Sequence, residues 1–341
     1  MQTKLEELVA LYRELEIDKQ IDYDKFYLYS LITHSTAIEG STITEIENQI
    51  MFDQGVSLKG KSLMEQSMNL DLKNAYDVAI KLADAHTEIT VDLLKRLSSL
   101  VMKNTGQEYK TVLGDFSSAQ GDLRLLNVTA GVGGKSYMNY SKVPLKLSEF
   151  CASLNKSRES YSTKSVSQLY EISFDAHYHL VTIHPWADGN GRMARLLMNM
   201  LQYEFGLIPS KILNEDKEDY IKALVETRES EDLNVFRAFM TATMVKNLTQ
   251  DIEAFRQSVG GDSQLVGNGE LEINGKKQKS RDIILDMLSH DGTLSAATLA
   301  EHIGITPKAV EKQIAKMKAE GVLKRNGSAR GGYWTVVGGC D

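Results

Sequence analysis

Apolar residues recur with helical spacing along most of the chain. In the segment Leu5–Tyr12 they stand at positions i, i+3, i+4 and i+7, which is the spacing of one face of an α-helix. The four prolines favour long uninterrupted helices. Thr44–Glu47 has the form of a capping box that opens a helix. Further helices are predicted over residues 66–86, 90–104, 144–157, 165–183, 191–205, 216–228 and 233–257.

One stretch of this body has β-like character. Residues 124–129 and 136–139 flank the glycine-rich run 130–135, which predicts two short strands joined by a hairpin turn. Residues 258–279 combine turn-forming Gly, Asn and Ser with a charged run, so we expect a linker there. The sequence therefore predicts a helical body with one hairpin, which the linker separates from the C-terminal segment.

The C-terminal segment has a different pattern. Helices are predicted over 281–289 and 295–303, with Ser295 as the candidate cap of the second. A third helix runs from Thr306 and Pro307 to Glu320, with the proline in its first turn. Two short strands, 321–325 and 332–337, follow around a turn at Asn326 and Gly327. Three helices and a β-hairpin predict a small winged helix-turn-helix domain.

Composition and charge limit the class of protein. The chain has 341 residues, of which 42% are hydrophobic and 25% charged, and this indicates two or three soluble domains. No apolar run reaches the length of about 18 residues that a membrane span needs. The first residues are charged without an apolar segment behind them, so we expect no secretory signal. Because the two cysteines, Cys151 and Cys340, do not suggest a structural disulfide, we expect a cytoplasmic protein.

Charge is distributed unevenly along the chain. Residues 276–341 contain 11 Lys or Arg against 7 Asp or Glu, whereas the residues before them contain 28 against 39. The acidic body argues against nucleic-acid binding by the whole chain.

Residues 184–195, which read His-Pro-Trp-Ala-Asp-Gly-Asn-Gly-Arg-Met-Ala-Arg, carry the clearest chemical signal. They lie between two predicted helices, and Gly189 and Gly191 allow the backbone to approach a ligand closely. A helix that starts near Gly191 presents free N–H groups and the positive end of its dipole, which together form an anion site. Arg192 and Arg195 are three residues apart, so they share a helix face and can clamp phosphate oxygens.

Three other residues of the run complete the predicted site. Asp188 would repel an anion unless it holds a hard cation, and Mg²⁺ bridging phosphates resolves that conflict. Asn190 can donate a hydrogen bond to a phosphate oxygen, and His184 can take a proton near neutral pH. A base, a metal carboxylate, an amide cradle and two arginines indicate phosphoryl or nucleotidyl transfer. His177 and His179 do not face each other on a helix, so we expect core positions rather than metal ligands.

The run resembles the Fic-family signature, His-Pro-Phe-x-(Asp/Glu)-Gly-Asn-Gly-Arg-x-x-Arg, at every fixed position but one. Trp186 replaces the Phe, and we expect it to pack under the loop as that ring does. The resemblance covers roughly residues 1–255 and implies a mainly α Fic-type domain with a β-hairpin flap, ahead of the winged helix. It implies that Mg²⁺ and ATP are used to transfer AMP to a Tyr, Thr or Ser hydroxyl of a protein, with His184 as the catalytic base.

The same resemblance implies roles for residues outside the signature. The 124–139 hairpin resembles the Fic flap, which aligns a target segment by adding it as a strand. Tyr220 matches a family position beside the adenine, and Arg228, two turns on, is expected to point the same way. The flap residues expected to dock the target are Val128, Thr129, Ala130 and Gly131. The expected nucleotide site comprises Asp188, Gly189, Asn190, Gly191, Arg192, Arg195, Tyr220 and Arg228, with Asp188 as the metal ligand.

Residues Ser35–Gly40 resemble the inhibitory motif of the family, (Ser/Thr)-x-x-x-Glu-(Gly/Asn). Ser35 and Glu39 are four apart and share a helix face, and in the family this Glu pairs with the second signature arginine, here Arg195. An arginine engaged by a carboxylate cannot also hold the γ-phosphate. The resemblance therefore implies an autoinhibited enzyme in which Ser35, Glu39 and Gly40 form the inhibitory element.

The expected domains are residues 1–110 with the inhibitory helix, 111–257 as the Fic core, the linker 258–279 and the winged helix 280–337. The alternative functions are a Fic enzyme that removes AMP and a DNA-binding transcriptional regulator. The third helix of the winged domain supports the regulator through a stripe of Lys308, Lys312 and Lys316, although a protein-interaction module explains the stripe equally well. Other diphosphate donors, self-modification and a homodimer also stay open.

Overall fold

The structure is a computed structural model of the chain. It describes residues 2–129, 135–264, 270–273, 276–290, 292, 294–303, 307–326 and 333–336. The chain divides into two compact units, residues 1–249 and residues 250–341. In the residues that the structure describes, no helix combines the length and the apolar composition that crossing a bilayer requires.

The first unit is built from long helices whose starts are set by local capping. The capping box predicted at Thr44 is present, and Ser62 and Ser165 open two further helices in the same way. All of the helices predicted for the body are confirmed, with ends shifted by a few residues. Their bounds are α1 Gln2–Glu14, α2 Tyr23–Ile38, α3 Glu45–Gln54, α4 Leu63–Asp84, α5 Val91–Val101, α6 Val143–Arg158, α7 Val166–Ile183, α8 Asn190–Glu204, α9 Lys217–Ser230 and α10 Leu233–Gln264.

Helix α8 lies at the centre of this unit. All of its residues except Gly191 and Tyr203 are buried, and it packs against α4 and α7. A helix that is enclosed on nearly every side is held by packing rather than by an exposed polar face. The start of α8, where the two signature arginines lie, is therefore fixed by the core of the unit.

Two short strands form a hairpin that the sequence did not predict. Strand β1, Glu108–Thr111, pairs antiparallel with β2, Gly114–Ser117, and the rings of Tyr109 and Phe116 stack across the pair with centroids 4.7 Å apart. Four-residue strands are too short for alternation of polar and apolar residues to be recognised against the helical background.

The strands predicted over 124–129 and 136–139 are wrong in their extent. The described residues of these two arms form one isolated antiparallel bridge, Thr129 to Ser136, and one further bond from the Tyr137 N–H to the Val128 carbonyl at 3.0 Å. The physical reason is Arg124. Its guanidinium donates hydrogen bonds to the carbonyls of Leu126 and Met138, one in each arm, so these acceptors are not available to a regular ladder of strand hydrogen bonds.

The second unit contains the predicted winged helix. Helices α11 Ser280–His290, α12 Ala296–Ile303 and α13 Pro307–Ala319 precede strands β5 Leu323–Asn326 and β6 Tyr333–Val336, which pair antiparallel. Ser295 caps α12 by accepting the Thr298 N–H at 3.1 Å, as expected. The core of this unit is formed by Ile284, Leu288, Leu299, Ala300, Val310, Ile314, Met317 and Leu323.

The segment expected to be a turn-rich linker has regular structure in its described parts. Helix α10 continues to Gln264, and β3 Glu270–Ile273 pairs antiparallel with β4 Lys276–Lys279. Gly260 and Gly261, which suggested a turn, lie inside α10. Each glycine costs a helix only about 1 kcal/mol, which is not enough to end a helix that is already long and cooperative.

Candidate active site

His184 lies where α7 ends. Its N–H bonds to the Leu180 carbonyl, and its backbone is left-handed, with φ 52° and ψ 62°. A left-handed conformation is uncommon for a residue with a side chain, so it indicates a local constraint. The chain then turns through residues 185–189, and α8 begins at Asn190 after Gly189, whose φ is 79°. A Cβ at Gly189 would lie 2.5 Å from the Met102 sulfur, so both conformation and space require glycine here.

The imidazole of His184 is arranged as a neutral base. Nδ1 lies 3.2 Å from the Val181 carbonyl, and since a carbonyl only accepts, Nδ1 carries the proton and Nε2 keeps its lone pair. Burial lowers the pKa of His184 to about 4, against the opposing effect of the Val181 bond and with a further lowering by Arg124. At neutral pH the ring is therefore uncharged and able to accept a proton at Nε2.

The start of α8 forms an anion cradle. The first helical bond runs from the Met193 N–H to the Gly189 carbonyl, so the N–H groups of Asn190, Gly191 and Arg192 precede every helical acceptor. These donors and the helix dipole favour a negative charge at this position.

Arg192 is buried and has only weak partners, of which the first is a long bond from Nη1 to the Val101 carbonyl at 3.5 Å. Its Nη2 contacts the Met102 sulfur, a weak acceptor, at 3.1 Å and lies 3.9 Å from the Asp188 carboxylate. Within the described part of the chain, no acceptor bonds to its buried Nε. Burial lowers the pKa of Arg192. A buried guanidinium beside a helix start, whose N–H donors lack strong acceptors, is suited to bind an anion.

Arg195, one turn further along α8, has its donors engaged. Nε donates to the Ser35 hydroxyl at 2.8 Å, and Nη2 donates to the Ser35 carbonyl at 2.9 Å and to the Glu39 carboxylate at 2.5 Å. Burial lowers the pKa of Arg195, but the charge of Glu39 outweighs it and raises that pKa. Arg195 thus bonds to both Ser35 and Glu39, the two ends of the expected inhibitory motif, and joins α2 to α8.

The Glu39 carboxylate lies over the start of α8. Its Oε1 is 2.7 Å from the position that a Cβ on Gly191 would occupy, and its side chain is one-third exposed, at 33%. Burial raises the pKa of Glu39, but Arg195, with help from Arg192 and Lys217, outweighs that effect and lowers it. A charged carboxylate therefore occupies the neighbourhood where the helix start favours an anion. Gly40 follows in a left-handed conformation, φ 101°, with open space around it.

The Asn190 side chain is bonded to the loop, which leaves one of its two amide hydrogens for the phosphate contact that the sequence predicts. Its Oδ1 accepts the Trp186 N–H at 3.1 Å, and its Nδ2 donates to the Trp186 carbonyl at 2.9 Å. The amide pairs with both backbone groups of one residue because the tight loop would otherwise bury them unsatisfied. Trp186 is fully buried beneath the loop, as expected, and its indole N–H bonds to the Gly121 carbonyl at 3.1 Å.

Asp188 stands at the mouth of the cradle. Its side chain is 60% exposed, and Oδ1 accepts the Gly189 N–H at 2.6 Å. Among the described residues, the nearest cation to its second oxygen is Arg192, at 3.9 Å. No group of three or more His, Cys, Asp or Glu suited to a metal occurs among the residues that the structure describes. Asp188 thus offers one hard oxygen ligand, of the kind Mg²⁺ uses together with phosphate oxygens.

Tyr220 and Arg228 lie in different surroundings, although they were expected to point the same way. Tyr220 is 2% exposed, with its hydroxyl 3.5 Å from Arg195 Nη1 and 3.0 Å from His177 Nε2. The Arg228 guanidinium instead lies 6.0 Å from the centre of the Tyr137 ring. Eight residues advance a helix by two turns and about 80° more, which separates the two directions.

Two residues that the sequence analysis missed contact His184 directly. The Tyr137 ring stacks on the imidazole, with centroids 3.7 Å apart and planes inclined by 16°. Arg124, buried at 1% exposure, donates from Nε to the His184 carbonyl at 2.7 Å and also reaches the carbonyls of Leu126 and Met138. Their nearness to the glycine-rich run was the one sequence signal they carried. Of the predicted flap residues, Val128 and Thr129 lie in this segment, and Ala130 and Gly131 lie outside the described residues.

Comparison with known proteins identifies two parts of the chain. Residues 88–202 match the model of the Fic/DOC family, and residues 281–333 match that of an HTH domain. The chain is 25% identical over 260 residues to "Protein adenylyltransferase fic-1" of Caenorhabditis elegans, covering 74% of this chain and 47% of that protein. It is 29% identical over 212 residues to "Protein adenylyltransferase Fic" of Nematostella vectensis, covering 61% and 45%. The chain spans about half the length of these curated relatives.

Solved structures share the fold. A Fic domain containing signaling protein from Bacteroides thetaiotaomicron is 20% identical with a TM-score of 0.61, covering 74% of this chain and 96% of that one. A Fic family protein from Desulfovibrio desulfuricans G20 is 18% identical with a TM-score of 0.61, covering 99% and 95%. The predicted fold class, a mainly α Fic-type domain followed by a helix-turn-helix domain, is confirmed.

Proposed function

We propose that this chain, which contains a Fic/DOC domain at residues 88–202 and an HTH domain at residues 281–333, is an autoinhibited protein adenylyltransferase. It transfers AMP from ATP to a Tyr, Thr or Ser hydroxyl of a protein. One observation carries the proposal: a neutral imidazole, whose proton is held on Nδ1 by the Val181 carbonyl, lies one short loop ahead of an anion cradle where Arg192 has a buried Nε without an acceptor among the described residues. The curated relatives that carry the name adenylyltransferase support the same reaction.

The chain's own groups account for the reaction. The N–H groups at the start of α8 and the Arg192 guanidinium bind the phosphates of ATP. His184 Nε2 takes the proton of the target hydroxyl, whose oxygen forms a bond to the α-phosphorus while the bond to pyrophosphate breaks. The electron pair leaves with pyrophosphate, and the proton stays on the imidazole. Mg²⁺ held by Asp188 would supply charge neutralisation of the phosphates.

Glu39 restrains this site. Its carboxylate and Ser35 engage Arg195, so this guanidinium cannot also bind the γ-phosphate. The same carboxylate repels an anion at the start of α8. ATP then binds with its α-phosphate displaced from His184, and a displacement of about 1 Å is enough to cost about a hundredfold in rate.

Labelling of protein with α-³²P-ATP and Mg²⁺ tests the proposal. Glu39→Gly is expected to raise labelling, including self-modification, about 10- to 100-fold over the parent. Adding His184→Ala to that variant should reduce labelling about 10²- to 10⁴-fold, the range for removal of a general base. Equal labelling with and without His184 would refute the mechanism. Intact-mass measurement with each nucleotide in turn identifies the donor, since the mass gained differs for each transferred group.

The opposite direction, removal of AMP, uses the same residues. Its supporting observation is that the charged Glu39 carboxylate is one-third exposed and can orient water. Incubating an AMP-modified target with the parent and with Glu39→Gly separates the two directions. AMP release that requires Glu39 favours removal, whereas labelling that increases without Glu39 favours transfer.

The HTH domain supports a second activity, DNA binding. Lys308, Lys312 and Lys316 are exposed on α13 at i, i+4 spacing, which suits contacts with phosphates. Binding of the full chain to duplex DNA should weaken steeply with salt and should weaken further in Lys308→Glu. Binding to a protein partner, or to a second copy of the chain, is the competing proposal for this surface and predicts no DNA shift.

A further inference from the structure

Tyr137 forms a flat contact with the base. Its ring lies against one face of the His184 imidazole, with centroids 3.7 Å apart and planes nearly parallel at 16°. The Tyr137 N–H bonds to the Val128 carbonyl at 3.0 Å, and the neighbouring Met138 carbonyl accepts from Arg124. The backbone that carries the ring is therefore anchored on both sides.

The stack restricts the imidazole without blocking its reactive nitrogen. Nε2 projects in the plane of the ring, and a group stacked on the face leaves that edge open. Nδ1 is held by the Val181 carbonyl at 3.2 Å. Rotation of the imidazole about its bond to Cβ would break this hydrogen bond and separate the two rings. The ring plane is thus defined by one polar contact and one apolar contact.

We propose that Tyr137 is a positioning residue for His184: its ring fixes the plane of the imidazole and excludes water from one face, so that Nε2 is kept as an oriented acceptor for the target hydroxyl. This inference rests on the proposed adenylyl transfer and adds a residue to it. Because Tyr137 contacts the base itself, we expect it to act through His184.

Helix α9 supports the Tyr137 ring. The Arg228 guanidinium carbon lies 6.0 Å from the centre of that ring, within cation–π range. Lys135 and Glu229 form an ion pair at 2.7 Å, which ties the same segment to the end of α9. Both partners of that pair are exposed, and exposed pairs contribute about 0–1 kcal/mol. The stack itself, rather than the ion pair, is therefore expected to hold the ring in place.

The charged groups around His184 determine what removal of the ring should do. Burial is the largest influence and lowers the pKa of the imidazole. Arg124 lowers it as well, whereas the Val181 carbonyl, Asp188 and Glu39 raise it. Truncation of Tyr137 leaves these groups in place and admits water to the ring face. The pKa of His184 should then rise from about 4 toward its ordinary value of 6.5.

The test compares Tyr137→Ala with Tyr137→Phe in the full-length chain, and Tyr140→Ala serves as a matched control three residues away. Histidine ¹³C signals are followed by NMR against pH, and His184→Asn identifies the signal of His184. We expect Tyr137→Ala to raise the pKa of His184 by about one unit or more. Tyr137→Phe keeps the ring and should titrate like the parent, as should Tyr140→Ala. If Tyr137→Ala does not fold, as judged by circular dichroism, Tyr137→Leu replaces it.

Kinetics in the Glu39→Gly background give a second readout. Tyr137→Ala should lower kcat about tenfold with little change in KM for ATP and should shift the acid limb of the pH profile upward, whereas Tyr137→Phe restores both. An unchanged His184 titration in Tyr137→Ala, or an equal loss in Tyr137→Phe, would overturn the inference. The titration does not depend on catalysis, so a protein without transferase activity would defeat the proposed function while the stack is still tested.

Discussion

Two arginines that lie one turn apart at the start of the same buried helix have opposite surroundings. Arg195 bonds to the Ser35 hydroxyl, the Ser35 carbonyl and the Glu39 carboxylate. Arg192 contacts the Met102 sulfur and has a buried Nε without a partner among the described residues. We infer that the bonds of Arg195 stabilise the resting structure, whereas the donors of Arg192 are available to a ligand.

Free-energy considerations sharpen this difference. A buried charge without a partner is costly, so a protein retains one where something outside the chain compensates it. A buried charge whose partners are all internal stabilises the fold in the resting state and must be released before it can bind anything else. Substitution of Arg192 should therefore reduce activity more than stability, whereas substitution of Arg195 should reduce stability more than activity.

The largest effect on activity is expected from substitution of Arg192. Arg192→Ala should lower kcat/KM for ATP about 10²-fold, since it removes charge-assisted bonds worth about 1.5–3 kcal/mol each, while the unfolding midpoint changes little. Arg195→Ala should instead destabilise the fold by about 1–3 kcal/mol because Glu39 and Ser35 lose their donor. Transfer kinetics and urea unfolding measure both. Arg237→Ala, which breaks the ion pair with Asp175, controls for the loss of an arginine. A large stability loss in Arg192→Ala would contradict the comparison.

The next effect distinguishes whether the charge of Glu39 or the space that its side chain fills restrains Arg195. Glu39→Gln keeps the shape of the side chain and removes its charge, so we expect labelling to rise about tenfold, less than for Glu39→Gly. Ser35→Ala removes one acceptor of Arg195 and leaves the carbonyl and the carboxylate, so its rise should be only a few-fold. Labelling by Glu39→Gln at the parental level would mean that the charge of Glu39 does not hold Arg195.

A separate effect concerns acid stability at His177, which bonds to Tyr220 in the core. His177 is fully buried and bonded to Tyr220, and burial, reinforced by Arg195, lowers its pKa to about 3. Between pH 6.5 and 3 the unfolded chain binds a proton that the folded chain does not. Stability therefore falls with falling pH in this window, by about 1.4 kcal/mol per unit for this group.

His177→Asn should reduce that slope whatever it does to stability at pH 7. Urea unfolding between pH 7 and pH 4.5 measures the slope, and His34→Asn provides the control at a more exposed position. An unchanged slope in His177→Asn would show that other groups dominate acid unfolding. The burial of His177 agrees with the core position expected from its spacing to His179.

Local signals predicted the helices and the loop with few errors. The capping box at Thr44 and the cap at Ser295 depend on residues close in sequence, and both are present. Prediction failed where a side chain changed the use of backbone groups. Arg124 donates to carbonyls in both arms of the predicted flap hairpin, and a longer hairpin would need those acceptors.

The sequence by itself determined the mainly helical class, the winged C-terminal domain and the identity of the residues at the start of α8, because caps, turns and helical periodicity act over a few residues. Only the tertiary structure decided that Arg195 bonds to Ser35 as well as to Glu39, that the buried Nε of Arg192 has no acceptor among the described residues, and that Tyr137 covers His184. These contacts join segments far apart in the chain. Their geometry follows from how α2, α8 and residues 124–129 and 135–139 pack, and no local pattern encodes that packing.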